Sequence, residues 1–240
     1  MNPDTLVAVS AYAGDVHQVE HNLPIYLHHG CPVVILSPAD APIRIDRLGV
    51  TCLSDGLKGW AGPQTLDRQR KFLELLLKFP HGHFLFHDAD SICLSPKLPK
   101  YCYESPDTIW SNEVMDTNPA PSMLPKIAMQ PPYFLSRKSI RAMLEGTPAT
   151  SYFTRENPAD WPLPFPTECI DHYMLQLTYG AKIPHLSFFT GASFETATER
   201  GFAEMSKLVR NHGRVMIHSV KTASVLHQLL LDHRGFINGH

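Results

Sequence analysis

Residues 84–90 read Phe84-Leu85-Phe86-His87-Asp88-Ala89-Asp90, a short apolar run that ends in two carboxylates two positions apart. An apolar run of this length and aromatic content predicts a buried strand. The carboxylates then fall where the strand leaves a sheet, which is where open α/β sheets bind their ligands. On an extended backbone, side chains at i and i+2 point the same way, so Asp88 and Asp90 can converge on one divalent ion. The stretch implies a metal site suited to a phosphate-bearing substrate.

The residues before it read as strand and helix in alternation. Leu6–Ser10 predicts a first strand, and Gly14-Asp15 turns into a helix carrying Val16, Val19, Leu23, Tyr26 and Leu27 at helical spacing. Pro24 should kink that helix and Gly30 should end it. Val33–Leu36 and Val50–Leu53 predict two further strands, and residues 64–78, opened by Pro63, predict a strong helix. This order is that of a parallel, doubly wound half.

After residue 95 the character changes. Prolines cluster at 96, 99, 106, 119, 121, 125, 131 and 132, and only short strands are expected, at Thr108–Trp110 and Tyr133–Leu135. A helix is expected at Ser139–Leu144, then a loop over 146–167 whose Tyr152, Phe153, Trp161 and Phe165 suit stacking on a sugar or base. Helices at about 168–178, 196–211 and 223–231 and strands near 182–186 and 214–218 complete the chain. The expected fold is a single α/β domain over 1–240, a Rossmann-type mixed sheet flanked by helices. Residues 1–95 would bind the nucleotide-bearing substrate and 96–240 the second substrate.

Composition narrows the class. The 240 residues suffice for a full core, and 43% hydrophobic with 18% charged residues is ordinary for a soluble globular protein. A net charge of −2 creates no global field toward nucleic acid or anionic membrane. The five cysteines (31, 52, 93, 102 and 169) contain no C-x-x-C, which argues for a reducing compartment and against a zinc knuckle. The start has no basic segment followed by a long apolar region, and no apolar stretch reaches the roughly 18 residues of a membrane span. A cytoplasmic protein is expected, in the host cytoplasm if phage-encoded.

A second constellation lies far downstream, in Val215-Met-Ile-His218-Ser-Val-Lys221. An imidazole at a strand terminus can add a nitrogen ligand to a metal already held by carboxylates, and a lysine three residues on can meet a phosphate. Taken together, the early βαβ unit, the strand ending in D-x-D and the late H-x-x-K resemble the GT-A-fold glycosyltransferases. The resemblance implies that Asp88 and Asp90 hold Mn²⁺ or Mg²⁺ on the diphosphate of a nucleoside-diphosphate sugar, that His218 completes the metal shell, and that Lys221 contacts the diphosphate. The chain departs from the pattern H-x-x-G-x-x-K-P-W, because its lysine follows histidine by three residues and the glycine and Pro-Trp are absent. No particular family is therefore assigned.

The resemblance also implies an acidic general base ahead of a helix. Glu168 and Asp171, in Pro166-Thr-Glu-Cys-Ile-Asp-His172, both qualify, although Thr167 as a cap and carboxylates in a first helical turn have a sufficient structural use. For the donor nucleotide, Tyr12 after strand one could stack on the base, Asp40 after strand two could bond base or ribose, and Arg68 could reach the diphosphate. Lys207, Arg210 and Arg214, with Arg200 and His212, form a basic face that is either solvated or meets a phosphate-rich acceptor.

The expected activity is metal-dependent transfer of a sugar, most plausibly UDP-linked, to a hydroxyl acceptor. Hydroxymethylpyrimidine DNA, as in the small phage glucosyltransferases, and a glycan are the two acceptor candidates. A nucleotidyltransferase uses the same logic, but Ser10-Ala-Tyr-Ala-Gly-Asp15 holds one glycine and no Lys or Arg to grip a triphosphate. A non-catalytic sugar- or nucleic-acid-binding module would need neither the acidic pair nor the distant His-Lys pair.

Overall fold

Residues 5–10 and 33–37 are apolar almost throughout, and both runs form strands buried along their whole length. Such runs belong to parallel strands covered on both faces. A computed structural model describes residues 4–59, 65–93, 98, 100–117, 126–152, 163–164, 170–187, 191–193 and 216–218. Its main sheet holds β1 (Thr5–Ser10), β2 (Val33–Ser37), β3 (Val50–Ser54), β4 (His83–Asp88), β6 (Ile109–Thr117), β7 (Lys126–Ser136) and β10 (His185–Ser187). Their order across the sheet is β10-β6-β7-β4-β1-β2-β3. β1 to β4 run parallel, with β1 between β2 and β4, while β7 lies antiparallel between β4 and β6. This is a mixed α/β sheet flanked by helices, as the sequence reading expected, and strands from both halves of the chain share it.

The two faces separate by alternation. Leu6, Ala8, Phe84 and Phe86 face Phe72, Leu73 and Leu76 of α2 (Thr65–Leu76). Val7, Val9 and Leu85 face Val19, Leu23 and Tyr26 of α1 (Val16–His28). α1 continues through Pro24 as one element, its apolar face packed on the sheet, and closes at Gly30, which takes φ +70°.

Beyond β4 the short strands expected from the prolines are corrected. β6 spans nine residues and β7 eleven. The pairing passes from Ser111↔Tyr133 to Glu113↔Gln130, so Pro131 and Pro132 together face one residue of β6. A bulge is where a strand tolerates residues without an N–H, which is why the prolines did not end β7. α4 (Arg137–Glu145) follows, capped by Ser136, whose hydroxyl oxygen accepts from the Ser139 amide at 2.9 Å.

The loop at 146–167 contains a two-stranded ribbon, β8 (Ser151–Tyr152) paired with β9 (Leu163–Pro164). Tyr152 is buried in the core with Met174 and Leu177 of α5 (Ile170–Gly180), so it cannot stack on a ligand. Phe153, Trp161 and Phe165, together with the expected helices at 196–211 and 223–231, lie outside the described residues. A small separate sheet has the order β11-β12-β5, from Gly191–Ser193, Met216–His218 and Ile92–Cys93. α3 (Lys100–Glu104) stands between β5 and β6.

Phe86 is 2% exposed and meets Phe72 edge to face, with ring centres 6.3 Å apart. We expect Phe86→Ala to cost about 3–5 kcal/mol of unfolding free energy, read from urea titrations. A midpoint equal to the parent's would show that β4 is not the packing centre described.

Candidate active site at the carboxyl edge of the sheet

Because β1 to β4 are parallel, their carboxyl ends lie on one edge. That edge collects Tyr12 and Asp15 after β1, Asp40 after β2, Asp55 after β3, and Asp88 with Asp90 at the end of β4. Such an edge is the natural ligand crevice of an open α/β sheet.

The acidic pair is not presented on a strand, as the i, i+2 argument supposed. β4 stops at Asp88, and residues 88–91 form a turn in which the Ser91 amide donates to the Asp88 carbonyl at 3.0 Å. The Ala89 amide donates to the Ser10 carbonyl at 2.9 Å, extending the β1–β4 ladder one step before the chain turns. Asp90 therefore follows the strand in a turn, and strand alternation does not set its direction relative to Asp88.

Side chains of α1 and β4 hold this turn from beneath. The Asn22 amide donates to the Ser91 carbonyl at 2.7 Å, and its oxygen accepts from the Cys93 amide at 2.9 Å. His87, fully buried, lies with Nδ1 2.8 Å from the Asp88 carbonyl oxygen and Nε2 2.8 Å from the Tyr26 hydroxyl. Burial pushes the Tyr26 phenol well above its ordinary value, and neighbouring Cys93 acts in the same direction.

Asp15 adds a third carboxylate to the edge. One of its oxygens accepts from the Tyr12 amide at 3.1 Å. Burial raises its pKa above the ordinary 3.8, the Tyr12 amide opposes this, and the negative charge of Asp90 raises it further. Asp15 and Asp90 are thus close enough for their charges to interact. Sequence reasoning treated Gly14-Asp15 only as a turn. Gly14 has its own constraint, since a Cβ there would come 2.8 Å from the Tyr12 ring.

The expected nucleotide contacts are distributed along the same edge. Tyr12 is 44% exposed and accessible to a ligand. Asp40 receives the Gly59 amide on both oxygens, at 3.0 and 2.9 Å, and so ties the loop after β2 to the loop after β3. Arg68 is different. Its side chain is 1% exposed and its guanidinium pairs with the buried carboxylate of Asp55. Arg68 thus anchors α2 to the end of β3, a role that sequence reading missed because Asp55 looked like a loop residue.

β12 brings the distant segment to this edge through its backbone. It pairs antiparallel with β5 as Met216↔Cys93 and Ile217↔Ile92. His218 is the last residue of β12, where its recorded partner is Ser193 of β11. Asp171 is the second residue of α5. Glu168, Lys221 and the basic residues 200, 207, 210, 212 and 214 lie outside the described residues. Among the described residues no group of three or more His, Cys, Asp and Glu side chains forms a metal cage, and no helix is long and apolar enough to cross a membrane.

No family model matches this chain, and no curated protein matches it. Solved structures do. It is similar to a glycosyltransferase involved in the glycosylation of the major capsid of PBCV-1, at 10% identity and TM-score 0.45, over 94% of this chain and 98% of that one. It is also similar to the apo-form glycosyltransferase GlyE of Streptococcus pneumoniae TIGR4, at 11% identity and TM-score 0.43, over 98% of this chain and 62% of that one.

Removing one partner of a buried ion pair leaves the other charge uncompensated. Arg68→Met should cost about 3–5 kcal/mol in urea unfolding, and the double variant Asp55→Leu with Arg68→Met should recover most of it. Equal losses for the single and double variants would argue against a paired interior charge.

Proposed function

We propose that this protein is a metal-dependent glycosyltransferase that takes its sugar from a nucleoside-diphosphate donor, most plausibly UDP-linked. The observation that carries the reading is the turn at Asp88–Asp90. Two carboxylates follow the carboxyl end of a central strand, the charge of Asp90 acts on Asp15, and β12, which ends in His218, pairs with β5 just past the turn. Hard oxygen donors with one imidazole suit Mn²⁺ or Mg²⁺.

In this reading Asp88, Asp90 and His218 would hold the cation. When bound, it would supply Lewis-acid stabilisation of the departing nucleoside diphosphate. The remaining steps belong to the chain. Tyr12 offers an exposed ring for the base, and Asp40, braced by the Gly59 amide, offers carboxylate oxygens to base or ribose. Lys221 would add positive charge where the leaving group gathers negative charge. Glu168 or Asp171 would take the proton from the acceptor hydroxyl as the sugar is transferred. Arg68, committed to Asp55, supports the edge rather than the diphosphate. The acceptor is proposed to be either a glycan or hydroxymethylpyrimidine DNA. The single domain over 1–240 would divide into a donor-binding part at 1–95 and an acceptor-binding part at 96–240.

The test is incubation with UDP-, GDP- and dTDP-sugars plus Mn²⁺, with release of nucleoside diphosphate as the readout. One donor class should be hydrolysed slowly even without acceptor, and chelation should stop the release. Asp90→Asn should abolish it while leaving the circular dichroism spectrum unchanged. Release by that variant at the parental rate would sink the assignment.

A further inference from the structure

We propose that Asn22, Tyr26 and His87 are positioning residues whose task is to fix the turn that carries Asp90 for cation binding. The inference rests on the reading of Asp88 and Asp90 as cation ligands.

Asp90 lies beyond the end of β4, so the sheet ladder does not hold it. Its position depends on the turn at 88–91, whose own closure is the hydrogen bond from the Ser91 amide to the Asp88 carbonyl. The Ala89 amide adds a bond to the Ser10 carbonyl of β1, and side chains from α1 and β4 hold the turn from below. Asn22 grips both sides of Ile92 at once, donating to the Ser91 carbonyl and accepting from the Cys93 amide. His87 reaches the Asp88 carbonyl, which therefore receives two donors. A carbonyl only accepts, so Nδ1 carries the proton that faces it, while Nε2 lies 2.8 Å from the Tyr26 hydroxyl. The Tyr26 hydroxyl, which can donate or accept, engages Nε2 and so orients the ring toward the Asp88 carbonyl.

Asn22 and Tyr26 stand four residues apart on the face of α1 that otherwise meets the sheet with Val19 and Leu23. Asn22 is 1% exposed, and Tyr26 and His87 are 0%. Apolar side chains would fill these positions at lower desolvation cost. What apolar side chains cannot do is orient the backbone on either side of Asp90. Hydrogen-bonded residues behind metal ligands act in this way, and their loss lowers metal affinity by about 10–100-fold.

The experiment is Mn²⁺ titration of the full chain in the presence of UDP, with free Mn²⁺ followed by electron paramagnetic resonance and urea midpoints measured in parallel. Tyr26→Phe removes one hydroxyl and keeps the ring, and it should weaken Mn²⁺ binding about tenfold. His87→Leu should do the same, whereas His87→Asn, whose amide can stand in for the Nδ1–H donor, should retain most of the affinity. Variants that bind Mn²⁺ as the parent does, even with lowered urea midpoints, would show a merely structural role and overturn the proposal. A parent that binds no Mn²⁺ with UDP would instead remove the cation reading of Asp88 and Asp90, and the positioning role with it. Should His87→Leu fail to fold, Tyr26→Phe still decides.

Discussion

β4 is held on both sides and both faces, and the rest of the molecule is arranged around that constraint. It pairs parallel with β1 and antiparallel with β7. Phe84 and Phe86 are packed beneath α2, and Leu85 beneath α1. A strand so enclosed has no room for a charge until it ends. Asp88 and Asp90, both half-buried, therefore fall where the protein interior gives way at the carboxyl edge of the sheet, since an unpaired buried carboxylate is prohibitively costly.

The same logic explains the buried polar groups nearby. Asp55 and Arg68 are both interior, and they neutralise one another where the loop after β3 meets α2. His87, Tyr26 and Asn22 carry no carboxylate, and each is engaged by hydrogen bonds within the α1–β4 layer. Two kinds of interior polarity thus flank the edge: an ion pair that fastens a helix, and a hydrogen-bonded network that fastens a turn. Asp15 and Asp90 are different, because the charge of one is felt by the other at the carboxyl edge of the sheet.

Much of the first half was legible in the residues. Continuous apolar runs gave β1, β2 and β4, the 3.6-residue period gave α1 and α2, and Gly30 marked the end of α1 as expected. The second half was less legible because its signals were ambiguous. Prolines 131 and 132 read as strand breakers, yet a bulge absorbs both within one long hairpin. Tyr152 read as a surface aromatic, yet packing against α5 takes it into the core. At the site, the residue types of the acidic pair were visible, whereas Asp15 and Asn22 gave only the local signals of a turn and a helix.

The amino-acid sequence alone determines that a buried strand ends in Asp88-Ala-Asp90 and that alternating strands and helices precede it, because hydrophobic period and local turn chemistry are short-range properties. Tertiary structure decides the rest. Only folding removes Arg68 from solvent by pairing it with Asp55, sets α1 beneath the turn, and pairs residues 216 and 217 with residues 93 and 92. Those outcomes depend on groups up to more than a hundred positions apart, and no local pattern encodes which of them will meet.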